Sequence, residues 1–323
     1  MQPSGHSNQD SDIELWKKGV TIGIPLYNED LFIGIAIQSA AHQCETLLIS
    51  DNCSTDKSEE ICRRLAKTYP NISYVRHPKN MGAANNFEYL LKSAETEFFM
   101  WLGAHDCLPS NYVKMLRQRL QSDPMAIMSY GAVQNIDRNG ENISFYNYFY
   151  TEQLIKEQSH LRLIAIIKNL HNCSLIHGIF VTEKLKAIWG DFNFLGGDHV
   201  LLAKASVIGK LLYEPKTFLY RRAVHLNDNP SNQLTRIRGV SQNVDIKKTQ
   251  MQKELYILVC QEAKKLNKGG GYKTESHFWL ASHFGYFSQK KSVAMLEILV
   301  WYFSIFYRVL KRNIERLILL TIR

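Results

Sequence analysis

The stretch Thr46-Leu47-Leu48-Ile49-Ser50-Asp51-Asn52-Cys53-Ser54-Thr55-Asp56 decides how this chain reads. Its opening run, Thr46 to Ile49, is short and apolar, as in a strand of a parallel sheet buried on both faces. The polar residues after it read as a turn feeding a helix, because Asp56 and Glu59 stand at capping-box spacing. A carboxylate at the carboxyl end of a parallel strand is where open α/β sheets place their ligands. Its acceptor oxygens suit the donor edge of a base or a ribose hydroxyl. An ordinary capped turn accounts for the same residues equally well.

Working outward, Val20 to Pro25 is an earlier strand of the same kind, closed by Pro25-Leu26-Tyr27-Asn28-Glu29. Tyr27 offers an aromatic face for a flat ring. Ile72 to Val75 is a third strand, followed by Asn80-Met81-Gly82-Ala83-Ala84-Asn85-Asn86, a small-residue turn that opens a helix. Small residues there admit a close backbone or phosphate, and a helix N-terminus favours anions. Glu97 to Leu102 is a fourth strand, ending in Gly103-Ala104-His105-Asp106 ahead of a helix starting at Pro109.

The order Pro25-x-Tyr27-Asn28, Asp51-Asn-x-Ser54-Thr55-Asp56, Asn80-x-Gly82-x-x-x-Asn86, then strand and Asp106, resembles the family 2 glycosyltransferases with the A-type fold. The resemblance spans residues 19–225. It implies an α/β fold: a mostly parallel nucleotide-binding sheet with flanking helices. It also implies sugar transfer from a nucleotide sugar to a hydroxyl of a glycan or glycolipid, with inversion at the anomeric carbon. Pro25, Tyr27, Glu29 and Asp51 would then hold base and ribose. Asn80, Gly82 and Asn86 would line the nucleotide side.

The chain departs from the family at the fourth strand's end. The family usually carries Asp-x-Asp there, the first acid on the ribose and the second on a metal; this chain has Gly103 and His105, then Asp106. Related sugar transferases with Asp-x-His place the His on manganese. The resemblance therefore implies a divalent metal, Mn²⁺ or Mg²⁺, on His105 or Asp106 with His225. Histidine nitrogen favours borderline metals over hard Mg²⁺. A His hydrogen-bonded in a loop is the plainer reading. Loss of two acids also fits an inactive nucleotide-sugar binder.

Downstream, Phe194-Leu195-Gly196-Gly197-Asp198-His199 leads into an apolar helix from Val200 to Ala205. In the family an acid in this slot is the general base, and Asp198 fits it; Asp is also a favoured N-cap. Tyr213 to Tyr220 is a strand-like pair around Pro215, leading to Arg221 and Arg222, whose guanidiniums suit a departing diphosphate or a solvated turn. His77, His160 and His177 read as satisfied polar residues near the core.

The 323 residues suffice for one large α/β domain and an appendage, and 45% hydrophobic with 21% charged residues fits a folded globular chain. Six cysteines without a C-x-x-C pair argue against structural zinc and suit a reducing cytoplasm. Residues 1–18 read as a disordered tail without the basic start and apolar core of a signal peptide. Residues 226–291 read as linker and helices. Residues 292–323 carry apolar positions at helical spacing (Leu296, Leu299, Val300, Phe303, Tyr307, Leu310) opposite Arg308, Lys311, Arg312 and Arg316. The apolar part is too short to span a bilayer, but a basic amphipathic helix suits an anionic membrane surface. Docking on the protein's own core or a second subunit is the alternative. The net charge of +9 fits an acidic partner, and no nucleic-acid reader motif is visible. The expected setting is cytoplasmic, peripheral to the inner face of the membrane. A scaffold whose tail does the main work is a rival reading.

Overall fold

The computed structural model describes residues 17–146, 151–170 and 173–223, together with 254–255, 257–258 and 261–262. The chain divides into two compact units, Met1–Met251 and Gln252–Arg323, and the sheet lies in the first. His225, most of the 226–291 region, the basic helix at 292–323 and residues 1–16 of the expected tail lie outside the described residues.

Strands β1 (Val20–Leu26), β2 (Thr46–Asp51), β3 (Ile72–Arg76) and β4 (Phe98–Trp101) form the parallel half of one sheet. Helices α1 (Ile33–Ala41), α2 (Ser58–Thr68) and α3 (Ala83–Lys92) connect them. The second half holds β5 (Ala126–Ile136), β6 (Asn142–Tyr146), β7 (Ile179–Val181) and β8 (Lys210–Arg222). Its helices are α4 (Tyr112–Gln121), α5 (Ser159–Asn169), α6 (Thr182–Ile188) and α7 (Gly197–Ile208). The strand order is β3-β2-β1-β4-β7-β5-β6, with β8 on the other edge of β5. β7 runs antiparallel to both β4 and β5, while β8 runs parallel to β5.

The elements follow from where the apolar side chains fall. Ile22, Ile24, Phe99, Met100 and Trp101 have no exposed surface, so β1 and β4 are covered on both faces. On α1, Ile33, Ala36, Ile37 and Ala40 recur at helical spacing and are all fully buried. Each buried Ile of this set contributes about 1.5–3 kcal/mol of transfer free energy. Trp101 anchors the centre: its indole Nε1 donates to Phe87 O at 3.1 Å, and Phe99 and Phe180 pack edge-on to its ring.

Three local expectations change. The capping box at Asp56 and Glu59 does not form: Asp56 Oδ1 accepts from Ser58 N at 2.9 Å and Oδ2 from Asp30 N at 3.0 Å. Glu59 instead pairs with Arg63 and Arg76. The helix after Pro109 begins at Tyr112, whose N–H bonds the Pro109 carbonyl. The pair of strands around Pro215 is one strand, β8, whose register to β5 slips between Glu214 and Phe218. The slip sets Pro215 outside the ladder, where its missing N–H costs nothing.

The sheet's switch point lies between β1 and β4. Pairing there stops at Gly23 with Trp101, after which Leu102 N bonds Gly23 O at 2.9 Å. β1 continues alongside β2 as far as Leu26 and Asp51. Pro25 stands where β1 and β4 part, and in open α/β sheets the ligand crevice lies beyond the carboxyl ends of the strands there.

A candidate active site at the switch point

The loop after β2 is held by its own polar side chains. Asp51 is fully buried; its Oδ1 accepts from Ser54 N at 2.8 Å and its Oδ2 from the Tyr74 hydroxyl at 2.6 Å. Its carboxylate thereby shapes the loop after β2. Asn28 and Cys53 take positive φ, 54° and 68°, and the loops after β1 and β2 are laced together there. Asn28 N donates to Ser54 Oγ at 3.0 Å, and Thr55 N donates to Asn28 Oδ1 at 2.8 Å. Tyr27, beside them, keeps 44% of its surface exposed, so its ring is open to a ligand.

The third loop is pinned in the same way. Asn52 Nδ2 donates to Asn80 Oδ1 at 2.9 Å, and Asn52 Oδ1 accepts from Met81 N at 2.8 Å. Gly82, with φ 85°, caps α3. Asn86 is 2% exposed and clamped to Ser50 through the Ser50 hydroxyl and carbonyl. Asn86 thus secures α3 to β2. Asn52 enters the sequence pattern only as part of the motif after Asp51; its bridge to the third loop depends on Asn80 and Met81, 28 and 29 residues on.

Across the crevice, His105 Nδ1 lies 3.0 Å from Glu29 Oε1, so the loops after β1 and β4 meet. Beneath them Asp106 is 3% exposed. Asp106 Oδ1 accepts from Arg222 N at 2.8 Å, and Oδ2 lies 4.0 Å from His177 Nε2. Arg222 is buried and bonds the carbonyls of His105, Asp137 and Arg138, with Phe32 against its guanidinium. It is a strut between strands, unavailable to a diphosphate. Neighbouring residues on a strand face opposite ways, so Arg221 is the exposed one of the pair. The two histidines are pushed apart. Burial works against charge on both, but for His105 the hydrogen bond to Glu29 and the nearby Asp106 prevail and raise its pKa. Burial prevails at His177 and lowers it.

The fourth wall comes from α7. Gly196, at φ 85°, is its cap, which places Asp198 in the first turn. Gly197 packs so closely that a Cβ would meet Phe192 O at 2.7 Å. Asp198 Oδ1 accepts from His199 N at 2.9 Å and lies 3.2 Å from His199 Nδ1. Burial opposes its charge, yet His199 and the Cys173 thiol outweigh this and hold its pKa below the ordinary carboxylate range. Its side chain is 44% exposed, so the ionised group is reachable.

As metal donors, His105 Nε2 and Asp106 Oδ1 stand 3.9 Å apart. No third protein donor converges on them among the described residues, and His225 lies outside those residues. A Cβ on Gly103 would meet Asp106 Oδ2 at 2.6 Å, so an acid in that slot could not coexist with this Asp106 rotamer. One oxygen and one nitrogen fit a metal that takes its remaining ligands from water and phosphates, as Mg²⁺ and related ions at phosphate sites do.

Residues 21–179 match the Glycosyl transferase family 2 description. This stretch is a family 2 glycosyltransferase domain. The sheet of that domain runs on through β8 to Arg222. Minor teichoic acid biosynthesis protein GgaB of Bacillus subtilis is 34% identical over 89 residues, 26% of this chain and 10% of its own length. An uncharacterized glycosyltransferase of Rickettsia conorii is 25% identical over 177 residues, 53% of this chain and 28% of its own. The chain thus spans a minor part of either relative's length. The fold is shared with S. aureus TarS 1-349 in complex with UDP, at TM-score 0.56 and 15% identity over 84% of this chain and 73% of that one. The TarS structure with UDP-GlcNAc gives TM-score 0.54 and 17% identity, covering 84% and 74%.

Proposed function

We propose that this chain transfers a sugar from a nucleotide sugar to a hydroxyl of a glycan or glycolipid, inverting the anomeric carbon. What carries the reading is the family 2 match over residues 21–179, on a sheet whose loops after β1 and β4 meet through Glu29 and His105 at the switch point. Pro25, Tyr27 and Glu29 border the crevice from the β1 side, with Asn80 and Gly82 next to it. Asp198, ionised and open, accepts the acceptor hydroxyl's proton as the hydroxyl oxygen bonds the anomeric carbon. The bond to the diphosphate breaks in the same displacement, and the electron pair leaves with the nucleoside diphosphate. Arg221 neutralises that leaving group as a bidentate donor. A divalent metal, Mn²⁺ or Mg²⁺, on Asp106 and His105 would supply further charge stabilisation for the diphosphate.

UDP-GlcNAc is the first donor to test, since TarS was solved with it. The measurement is transfer and donor hydrolysis with Mn²⁺, comparing the parent chain with Asp198→Asn. Asp198→Asn should keep donor binding, seen as thermal stabilisation, and lose about 10²–10⁴-fold in transfer. Parent-level transfer by Asp198→Asn would place the base elsewhere.

The basic, amphipathic pattern at 292–323 supports a location against an anionic membrane. Among the described residues no helix is long and apolar enough to cross one. Replacing Arg308, Lys311, Arg312 and Arg316 by Glu should release the protein from anionic vesicles in flotation. Continued binding would mean the tail packs against protein.

A further inference from the structure

Cys173 is not used by the transfer chemistry above, yet it stands against the proposed base. It precedes a short turn of helix at Ser174–His177, and its thiol reaches the first turn of α7. Cys173 Sγ lies 3.0 Å from His199 Nδ1, which lies 3.2 Å from Asp198 Oδ1. Sulfur, nitrogen and oxygen donors of Cys173, His199 and Asp198 all fall within 4.8 Å of one another, the one such trio of protein donors among the described residues.

Two chemistries could use a thiol, an imidazole and a carboxylate together. A nucleophilic triad needs the thiol and the carboxylate on opposite ring nitrogens. Here both face the same atom, Nδ1. The imidazole therefore cannot relay between them, and the arrangement is convergent. Convergence is what a metal ion requires. A tetrahedral Zn²⁺ with ligand bonds of about 2.0–2.3 Å has ligand–ligand edges of about 3.3–3.6 Å. The two spacings to His199 Nδ1, 3.0 and 3.2 Å, reach those edges with shifts of a few tenths of an ångström. The donor set also balances charge: a thiolate and a carboxylate neutralise a divalent ion, and the imidazole binds neutral. Both anions lie at the amino end of α7, where the helix dipole favours them. Thiolate selects zinc-like ions over Mg²⁺, and Mn²⁺ stands lowest in the affinity order.

We infer that Cys173, Asp198 and His199 form a site for a thiophilic divalent cation such as Zn²⁺, separate from the metal expected at the diphosphate. On binding, the thiol proton goes to water and three protein bonds form, leaving one position open to solvent. The ion then occupies the carboxylate that serves as base. The site therefore switches transfer off; this consequence rests on Asp198 being the base.

The test uses Co²⁺ as a visible stand-in for Zn²⁺, titrated as CoCl₂ into the full, metal-free chain. The parent chain should develop a thiolate-to-cobalt charge-transfer band in the near ultraviolet, abolished by added ZnCl₂. Cys173→Ser should lack the band, and His199→Ala should weaken Co²⁺ binding at least about tenfold. Circular dichroism on each variant shows that it is folded; if Cys173→Ser is not, His199→Ala alone decides. No band in the parent, or an undiminished band in Cys173→Ser, overturns the site. Zn²⁺ should also inhibit transfer by the parent and spare Cys173→Ser. A Cys173-dependent band without inhibition keeps the metal site and overturns Asp198 as the base.

Discussion

Glu29 and His105 reach each other from two loops that share no ladder hydrogen bond, and their contact sets the charge of the imidazole. The raised pKa of His105 means that the folded state holds its proton more tightly than the unfolded chain, with its pKa near 6.5. The stability it contributes is fully present below about pH 6.5 and fades as pH rises through the folded value. His177 has the opposite sign: its lowered pKa costs stability as pH falls below about 6.5. In a histidine NMR titration, His105 should protonate before His177 as pH is lowered. Glu29→Gln should lower the His105 pKa, and its destabilisation, read by thermal melts, should be larger at pH 6 than at pH 9. An unmoved His105 titration would mean that Glu29 is not its partner in solution.

At the scale of elements, the loops are rigid because buried amides bridge them. Asn86→Ala would remove the side-chain bonds that tie α3 to the Ser50 hydroxyl and carbonyl, leaving the hydroxyl only its His77 contact. Urea unfolding should show a loss of about 1–3 kcal/mol. Gly178 sits at a second contact, where a Cβ would collide with the Ser129 carbonyl, a backbone atom that cannot turn aside. Gly178→Ala should force β7 from β5 and cost about 1–3 kcal/mol in the same measurement. The parallel half of the sheet was legible because each strand is a short apolar run followed by turn residues. Strand β5 is not announced by a local motif, although Ala126 to Val133 is buried throughout, since the neighbours that cover its edges, β7 and β8, are remote in sequence. For Asp51 and Asn86 the motifs locate the loops, but not the bonds each side chain makes within the protein. Residue type and order fix a position, but the direction of a carboxylate or amide depends on partners such as Tyr74 and Ser50. Cys173 carried no signal, because its partners lie 25 and 26 residues downstream at Asp198 and His199.

At the scale of the whole molecule, activity should prefer Mn²⁺ to Mg²⁺, because His105 stands where the family usually has a carboxylate and nitrogen ligands favour borderline ions. Equal rates with both ions would leave Asp106 as the protein's main ligand. Undiminished transfer in excess chelator would remove the metal from the reaction. The buried Arg222 strut has a different kind of consequence. Asp106 and Arg222 are 116 positions apart, and β8 zips against β5 across a shorter but still long stretch of chain. Contacts so distant in sequence form late, since a long loop must close first. During synthesis the first four strands emerge from the ribosome early, but the loop bearing His105 and Asp106 has no strut until residue 222 is out. Ribosome-arrested chains with residues 17–200 exposed should therefore hold protease-resistant β1 to β3 while His105 and Asp106 remain open to cleavage. The order of birth along the chain thus makes the chemical centre the last part of the sheet to set.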